Sequence, residues 1–487
     1  MNAGLLLLEY AVIGLALLVV ALDLFCHDSD RRRQIGLVAS GCLAAICAYS
    51  FLIHPEGSAF GGAYVMDPLA LWFKRFFLLT GVIVMVVSTE YAKQFETGVS
   101  EYYVLQLFAL TGMLFAASAN HFMLLFVALE LMTVTFYVLV GYMRQRVSSL
   151  EAGVKYLVLA AMSSAFLIYG IALVYGVSGT MDFTQLGNRL QADHDLTGNV
   201  VLRLGMLLLF LGLAFKLAAF PVQIWAPDVY EGAPTPTTAF LAAGSKAVGV
   251  VLLLRLMGQA AYEFALGSEK LLMIVAGLTI LYGSLCALPQ RNLKRMLGYS
   301  SIASAGYLLM GFAAMSASGS VAILYYMAGY LFSVLGAFAV VAVVANRAGA
   351  ADVGALAGLS RRNPLMAATL TMAMVSLAGI PPLAGFFGKF LIFKSVLEQG
   401  VNYGAYYYLV GVAIFGVIVS LYYYFNVIRA VYWSKDSADL TPIEISSPLR
   451  YTLWACIGGM LWLGLYPQVV LKSAAAATAL LKLPSLN

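Results

Sequence analysis

Four charged residues stand inside long apolar stretches of this 487-residue sequence. They are Glu130 in HFMLLFVALELMTVTFYVLV, Lys216 in LGLAFKLAAFPVQIW, Lys246 in FLAAGSKAVG and Lys389 in PLAGFFGKFLIF. A charge at the centre of a membrane costs about 3 kcal/mol or more, so such residues usually mark an ion or proton pathway. The sequence therefore predicts a row of proton-exchanging groups at similar depth. For Glu130, a structural ion pair that locks two helices is the alternative.

Prolines follow or precede two of these lysines closely. Pro221 comes five residues after Lys216, and Gly379-Ile380-Pro381-Pro382 comes shortly before Lys389. Proline removes a backbone donor and breaks a helix, which a membrane protein tolerates only where protein or a cavity satisfies the freed groups. A charge beside a broken helix is typical of transporters. We therefore expect two broken helices.

Other charged residues are weaker candidates. Lys155 lies near the start of an apolar run, where its long side chain could also reach the interface. Asp228 and Glu231 follow Pro221 and could control proton uptake, or could cap neighbouring helices. A further group lies near the ends of the predicted spans and is interpreted as structural: Glu9, Asp23, Lys74, Arg255 and Arg429.

The composition sets the class of protein that must position these residues. Hydrophobic residues make up 62% and charged residues 10%, whereas soluble domains carry roughly 25% charged residues. The sequence therefore predicts an all-α polytopic membrane protein without a sizeable soluble domain. The net charge of +5 is small, so we expect lipid contacts and no nucleic-acid partner.

Apolar segments of membrane-spanning length recur throughout and predict about 14 transmembrane helices. The predicted spans are 5–25, 35–53, 68–89, 102–118, 121–142, 151–176, 201–226, 235–259, 270–288, 292–315, 320–346, 364–398, 403–433 and 449–471. Spans seven and twelve contain the breaks, and their separation by five spans predicts two inverted five-helix repeats, spans 4–8 and 9–13. The predicted units are 1–100 (three helices), 101–260 (first repeat), 261–435 (second repeat) and 436–487 (C-terminal helix).

Basic residues fall on one side of this arrangement. Arg31–Arg33, Arg144 and Arg146, and the segment 291–295 occupy loops of the same side, whereas loop 54–67 has neither lysine nor arginine. By the positive-inside rule the basic side is cytoplasmic, so both termini are expected outside.

Residues for redox cofactors are missing from the predicted spans. Five cysteines form no CxxC pair, and four histidines lie in loops or at span ends. The sequence also lacks a nucleotide-binding glycine loop. We expect no metal and no cofactor on this chain.

Four segments carry a resemblance to a known family. They are ANHFMLLFVALELMTVTFYVLVGY at 119–142, FPVQIWAPDVYEGAPTPTTAFLAAGSK at 220–246, KRMLGYSSIASAGYLLMG at 294–311 and SLAGIPPLAGFFGKF at 376–390. They resemble the antiporter-like membrane subunits of NADH–quinone oxidoreductase (respiratory complex I), of the N type, over roughly spans 4–13. The resemblance implies a proton-translocating, non-redox subunit of an enzyme of translocase class EC 7.1.1 in a bacterial inner membrane.

The resemblance also implies roles and partners. Glu130 matches the family's fifth-helix glutamate and Lys216 the seventh-helix lysine that pairs with it. Lys246 and Lys389 match the central and exit lysines, and Lys155 matches an auxiliary lysine beside the pair. FMN, iron–sulfur clusters, NADH and quinone are expected on other subunits, and the implied neighbours are an M-type subunit, small K-, J- and A-type subunits and the lateral helix of an L-type subunit.

The sequence departs from the family at two positions. Gln223 and Ser304 stand where many members have histidine. We therefore expect hydroxyls and water to link Lys246 to Lys389, and the candidate donors are Ser304, Tyr307, Tyr330 and Ser333. The alternative function is that of a subunit of a secondary cation/proton antiporter of the Mrp type, without a link to electron transfer.

Overall fold

Helices dominate the chain, as the composition predicts. The computed structural model describes residues 3–26, 29–95, 97–261, 264, 267–349, 351–401, 403–433 and 441–481. The main helices are α1 (Leu7–Phe25), α2 (Ser29–Ser50), α3 (Pro68–Tyr91), α4 (Val99–Ala117), α5 (Phe122–Val140), α6 (Val147–Ser178), α7 (Val200–Leu217), α8 (Trp225–Gly232), α9 (Thr235–Ala260), α10 (Glu269–Ala287), α11 (Leu293–Ala313), α12 (Ala317–Ala348), α13 (Pro364–Ala378), α14 (Ala384–Gly400), α15 (Ala405–Trp433), α16 (Ser447–Leu465) and α17 (Gln468–Thr478). Short helices at Phe183–Ala192, His194–Gly198 and Leu359–Arg362 lie in the connections.

The helices have the length and apolarity of membrane spans. Within the described residues, 11 are long and apolar enough to cross a membrane, and a twelfth span results if the bent pair α16–α17 counts as one. The all-α membrane class is thus confirmed. The count of 14 and the inverted repeats stay predictions, and the boundary at 435/436 lies outside the described residues.

Both predicted helix breaks are present. Helix α7 ends at Leu217, where Ala218 has a left-handed backbone (φ 58°), and α8 begins only at Trp225. Helix α13 ends at Ala378, where Gly379 has φ 86°, and α14 begins at Ala384. The peptide bonds before Pro221 and Pro382 are cis. Helices α7 and α13 therefore both end at a residue with left-handed backbone geometry, directly before the break.

Two regions differ from the predicted spans. The segment predicted as one span over 449–471 is bent, because α16 ends at Leu465 and α17 continues at an angle of 82°. Pro467, which lacks a backbone donor, lies at this bend. Residues 54–67 also hold a hairpin of strands β1 (Gly57–Ala59) and β2 (Tyr64–Met66), paired antiparallel with Gly57 opposite Met66.

The centre of the molecule is built from α9, α11 and α12. The apolar stretches of α9 and α11 are buried over their whole length, whereas those of α6, α10 and α15 are buried over less than half. Glycines allow close contact between α10 and α11, since a Cβ on Gly283 would lie 2.4 Å from the backbone nitrogen of Ala303. Helix α9 is regular between Lys246 and Arg255 but has π-helical segments at Leu241–Ser245 and Leu256–Ala260.

Candidate functional site

Lys246 is the central charge of the molecule. It is only 2% exposed and lies directly after the first π-helical segment of α9. Its Nζ donates to the carbonyl and the Oγ of Ser301 on α11, at 2.5 and 2.6 Å, and approaches the Tyr330 hydroxyl at 3.4 Å. The ring of Tyr330 lies 4.8 Å from the ammonium group. Lys246 is therefore held by neutral oxygens and an aromatic face.

Lys216 lies on the neighbouring helix, in the last turn before the first break. Its Nζ donates to Thr133 Oγ1 at 2.5 Å, and the residue is 5% exposed. Helix α7 approaches α9 at Gly249, where an added Cβ would lie 3.3 Å from the Cβ of Lys216. Since Gly249 follows Lys246 by three residues, the two lysines occupy adjacent helices about one turn apart.

Glu130 does not form a direct ion pair with Lys216. Its Oε1 instead accepts a hydrogen bond of 2.5 Å from Ser164 on α6, while Lys216 is held by Thr133. Glu130 and Thr133 are three residues apart and share a face of α5, so the carboxylate stays close enough for its charge to act on Lys216. The structure thus places the two residues near each other without the ion pair that the resemblance implies, and their pairing stays a prediction.

Lys389 lies against the second break. Its Nζ donates to the carbonyls of Leu377 and Ala378 at 2.8 and 3.1 Å. These are the last carbonyls of α13, which have no partner within that helix. The ammonium group also lies 4.9 Å from the centre of the Tyr307 ring. Lys389 is therefore a buried cation at the negative end of a half-helix.

Hydroxyl groups line the space between Lys246 and Lys389. Ser301, Ser304 and Tyr307 follow one another at intervals of three along α11 and so lie along one face of that helix. Ser304 is buried, donates to the Ser300 carbonyl at 3.0 Å, and lies beside the hydroxyl of Tyr326. Tyr326 stacks on Tyr330 with ring centres 6.2 Å apart.

Ser333 occupies a different place from the other predicted hydroxyls. It donates to the Ser376 hydroxyl at 2.8 Å, and Ser376 also accepts from the backbone nitrogen of Gly385. Ser333 therefore connects α12 to the second break and does not contact Lys246. Ser301 was not among the predicted donors, although its spacing of three residues from Ser304 is readable in the sequence.

Lys155, Asp228 and Glu231 form a separate cluster beside the first break. Lys155 Nζ lies 2.8 Å from Asp228 and 2.8 Å from Glu151, and Arg295 binds both Asp228 and Glu231 at 2.7 and 2.9 Å. Partial burial acts to raise the pKa of Asp228, but hydrogen bonds from Lys155 and Arg295 outweigh it, and that pKa lies below its usual value. The structure thus brings Lys155 to Asp228 and not to Glu130.

Lys294 was interpreted as a basic loop residue, but the structure buries it. It is 7% exposed, and its Nζ donates to the carbonyl of Ala233 at 2.6 Å. The polar connection after α8 folds over the first turn of α11, which a linear reading of the sequence does not reveal.

Gln223 lies in the first break with its side chain buried. Its Oε1 has no partner among the described residues, and Trp225 Nε1 donates to the Phe215 carbonyl at 3.1 Å. Within the described residues, no group of three or more histidine, cysteine or acidic side chains could hold a metal ion. The structure therefore buries the three lysines of the predicted row, leaves Glu130 half-buried, and places hydroxyl groups beside the lysines.

Comparison with known proteins gives this arrangement a context. A family model described as "NADH:quinone oxidoreductase/Mrp antiporter, TM" matches residues 119–415, which contain all four charges of the predicted row. The chain is 39% identical over 466 residues to NADH-quinone oxidoreductase subunit N of Moorella thermoacetica, with 96% of each chain covered.

Solved structures show the same fold. A chain of respiratory complex I from Thermus thermophilus, solved with bound aureothin, matches with a TM-score of 0.78 and 31% identity, covering 96% of this chain and 99% of that one. A chain of the Mrp complex from Dietzia sp. DQ12-45-1b matches with a TM-score of 0.84 but 20% identity, covering 99% of this chain and 98% of that one.

Proposed function

Since this chain belongs to the NADH-quinone oxidoreductase subunit N family, we propose that it carries protons across the membrane through Glu130, Lys216, Lys246 and Lys389. It is a membrane subunit of that enzyme complex, so redox chemistry takes place elsewhere. The observation that carries the proposal is the set of three lysines at 2–6% exposure, each hydrogen-bonded to uncharged oxygens. A buried cation without a paired anion is costly and exchanges its proton readily.

Proton uptake begins at the Glu130–Lys216 pair in this proposal. At an effective dielectric constant near 20, two charges about 4 Å apart interact by roughly 4 kcal/mol. Approach of Glu130 would therefore hold a proton on Lys216, and separation would release it. Ser164 and Thr133 support such a switch, because each offers one partner of the pair an alternative hydrogen bond. We infer that the redox event in other subunits drives this separation.

Transfer then proceeds from Lys246 to Lys389 along the hydroxyl face of α11. Ser301 binds Lys246 directly, and Tyr307 faces Lys389. Six residues separate Ser301 from Tyr307, so the path along α11 is about 9 Å long. A neutral hydroxyl cannot store a proton at neutral pH, so these side chains orient water between the two lysines. Asp228 and Glu231 stand by the first break as groups for proton uptake, with Lys155 as their counter-charge.

Membership of the subunit N family also suggests the membrane and the neighbouring subunits of this chain. We propose that the complex lies in a bacterial inner membrane, with both termini on the outer side, and that it acts as a proton translocase of class EC 7.1.1. The neighbours would be an M-type subunit on one side, small K-, J- and A-type subunits on the other, and the lateral helix of an L-type subunit. FMN, iron–sulfur clusters, NADH and quinone would be bound by other subunits.

The Mrp-type function is the weaker candidate. The family model spans both classes, and the likeness to the Dietzia complex at 20% identity concerns the fold alone, whereas the relatives at 35–39% identity are named subunit N. Co-purification distinguishes the two functions. NADH-oxidising partners that contain flavin and iron–sulfur clusters would support complex I, and their absence from an intact preparation would contradict it.

Two lysines of α14 provide the functional test. Lys389→Ala should reduce the proton yield per NADH severely, because it removes the cation at the second break. Lys394→Ala is the matched control on the same helix, since Lys394 is 61% exposed and faces Glu398. Proton yield is measured in proteoliposomes at equal amounts of assembled complex. A normal yield in Lys389→Ala, or equal losses in both variants, would refute the assignment.

A further inference from the structure

A second group of buried charges lies outside the proposed path. Glu9 and Lys74 are both 0% exposed and form an ion pair at 2.6 Å between α1 and α3. Tyr64 on β2 lies 2.6 Å from Lys74 Nζ and donates to the Leu5 carbonyl at 2.9 Å. The sequence predicts structural roles near span ends for Glu9 and Lys74, and the structure buries both side chains completely.

Arg255 joins this group from α9. It is 0% exposed and binds Asp67 through both terminal nitrogens, at 2.8 and 3.1 Å. Its Nε donates to the carbonyl of Ala117 at the end of α4. Asp67 also caps α3 by accepting from the backbone nitrogen of Ala70. We refer to Glu9, Tyr64, Asp67, Lys74 and Arg255 as the Arg255 cluster.

No polar side chain lies between Lys246 and Arg255 along α9. The residues between Lys246 and Arg255 are AVGVVLLL, and every one of them is buried. Protons therefore have no route along this part of α9. Any influence of the cluster on Lys246 has to act through the position of the helix.

The geometry of α9 provides such an influence. Lys246 and Arg255 are the first and last residues of a regular ten-residue helix with a π-helical segment directly before and directly after it. A π-helical turn interrupts the regular hydrogen-bond pattern of a helix and often lies at a functional site, so we expect the segment between the two turns to depend on its side-chain contacts for its exact position. Arg255 follows Lys246 by nine residues, which in an α-helix is a rise of about 14 Å and a rotation of two and a half turns. Arg255 and Lys246 thus hold the segment from opposite faces.

We propose that Arg255 is a positioning residue for proton transfer, which sets the rotation and depth of the α9 segment so that Lys246 reaches Ser301. The proposal rests on the proposed function of Lys246. The bidentate bond to Asp67 and the bond to Ala117 fix the guanidinium group to α3 and α4. Asp67 itself is anchored to the first turn of α3, because it accepts a hydrogen bond from the backbone nitrogen of Ala70.

A double-mutant cycle tests this positioning role. Arg255→Met should slow proton pumping about tenfold at equal complex content, because small displacements of a reacting group are costly. Ser301→Ala removes the hydroxyl that Lys246 binds. If Arg255 acts by placing Lys246 on Ser301, the combined variant should pump about as fast as Ser301→Ala alone. Independent effects at sites this far apart would multiply, so a further loss of about tenfold beyond Ser301→Ala would overturn the proposal.

Arg75→Met is the matched control. Arg75 lies next to Lys74 on α3, but it donates to the carbonyls of Ser50 and Ile53 and does not reach α9. It should leave the pumping rate close to normal in assembled complex. A loss equal to that of Arg255→Met would overturn the proposal, because the effect would then reflect general damage to the first three helices.

Assembly and the proposed function are tested separately. If Arg255→Met fails to assemble, Asp67→Asn combined with Arg255→Met removes the unpaired carboxylate and keeps an acceptor for the α3 cap. Slow pumping in the assembled double variant supports the proposal. Normal pumping in the assembled double variant overturns the proposal. Failure of the double variant to assemble also overturns it, because the Arg255 cluster would then be needed for folding. Normal pumping in Lys246→Ala would instead refute the proposed function.

Discussion

Ser301→Ala is the most direct test of how Lys246 is held. The substitution removes one of the oxygens around the ammonium group, the Oγ at 2.6 Å, and leaves the Ser301 carbonyl at 2.5 Å. A hydrogen bond to a charged group contributes about 1.5–3 kcal/mol. Since about 1.4 kcal/mol corresponds to a factor of ten, protonated Lys246 should become about tenfold to a hundredfold less populated.

Ser304→Ala is the matched control for this substitution. Ser304 lies one turn further along α11 and donates to the Ser300 carbonyl of its own helix, without contacting a lysine. Its removal should disturb only the orientation of water, so we expect a change below about threefold. Both residues are buried, and the substitution is the same, so packing losses are comparable.

The assay is proton uptake by proteoliposomes during NADH oxidation, at matched amounts of assembled complex. Ser301→Ala should lower the pumping rate at least about tenfold, whereas Ser304→Ala should remain near the original rate. Equal rates in the two variants would refute the assignment of Ser301 as the group that holds Lys246. Equal and severe losses would mean that Ser304 is itself an obligatory relay.

Three further predictions concern other parts of the molecule. Glu130→Ala and Lys216→Ala should each lower NADH–quinone activity and proton yield in assembled complex, and normal values in both would contradict the path. Gly385→Ala should destabilise the fold by roughly 1–3 kcal/mol, because its Cβ would overlap the Ser376 carbonyl, whereas Gly411→Ala meets no atom within 4 Å; thermal unfolding compares the two. Lys155→Ala should change pumping less than about threefold, since its ion pairs are partly exposed, and a tenfold loss would show a direct role.

The buried charges and the helix breaks are readable from the sequence. A charge in an apolar run and a proline in a helix are each costly wherever the segment lies, so neighbouring residues suffice to detect them. The structure accordingly buries Lys216, Lys246 and Lys389 and interrupts the helices near Pro221 and Gly379.

The partners of these charges depend on helix rotation, which the sequence does not determine. Ser301 and Ser304 lie on the same face of α11, and only packing decides which of them meets Lys246. The π-helical turn before Lys246 also changes the direction in which α9 presents this lysine. Burial near span ends is also set by tertiary contacts, which is why Arg255 and Lys294 are less exposed than their positions predict.

The three lysines differ in the oxygens that hold them, and this difference suggests a direction of transfer. Lys216 has one hydroxyl and depends on Glu130 for further stabilisation, whereas Lys246 has a hydroxyl and a carbonyl. Lys389 has two carbonyls at the negative end of α13, where a cation gains up to about 2 kcal/mol from the helix dipole. On the proposed path, this helix end would favour transfer towards Lys389 once Glu130 is drawn away from Lys216.

Release from Lys389 then requires a change at the second break. The carbonyls of Leu377 and Ala378 face the ammonium group and, on the proposed path, would favour the protonated state of Lys389. Gly379 has the left-handed backbone that turns the chain away at this point, and a Cβ there would lie 2.9 Å from Lys389 Cδ. A small rotation about this residue would move the carbonyls away from Nζ. On the proposed path, Glu130 would control loading and the α13–α14 break would control release, so the two moving parts of the cycle would lie at opposite ends of the lysine row.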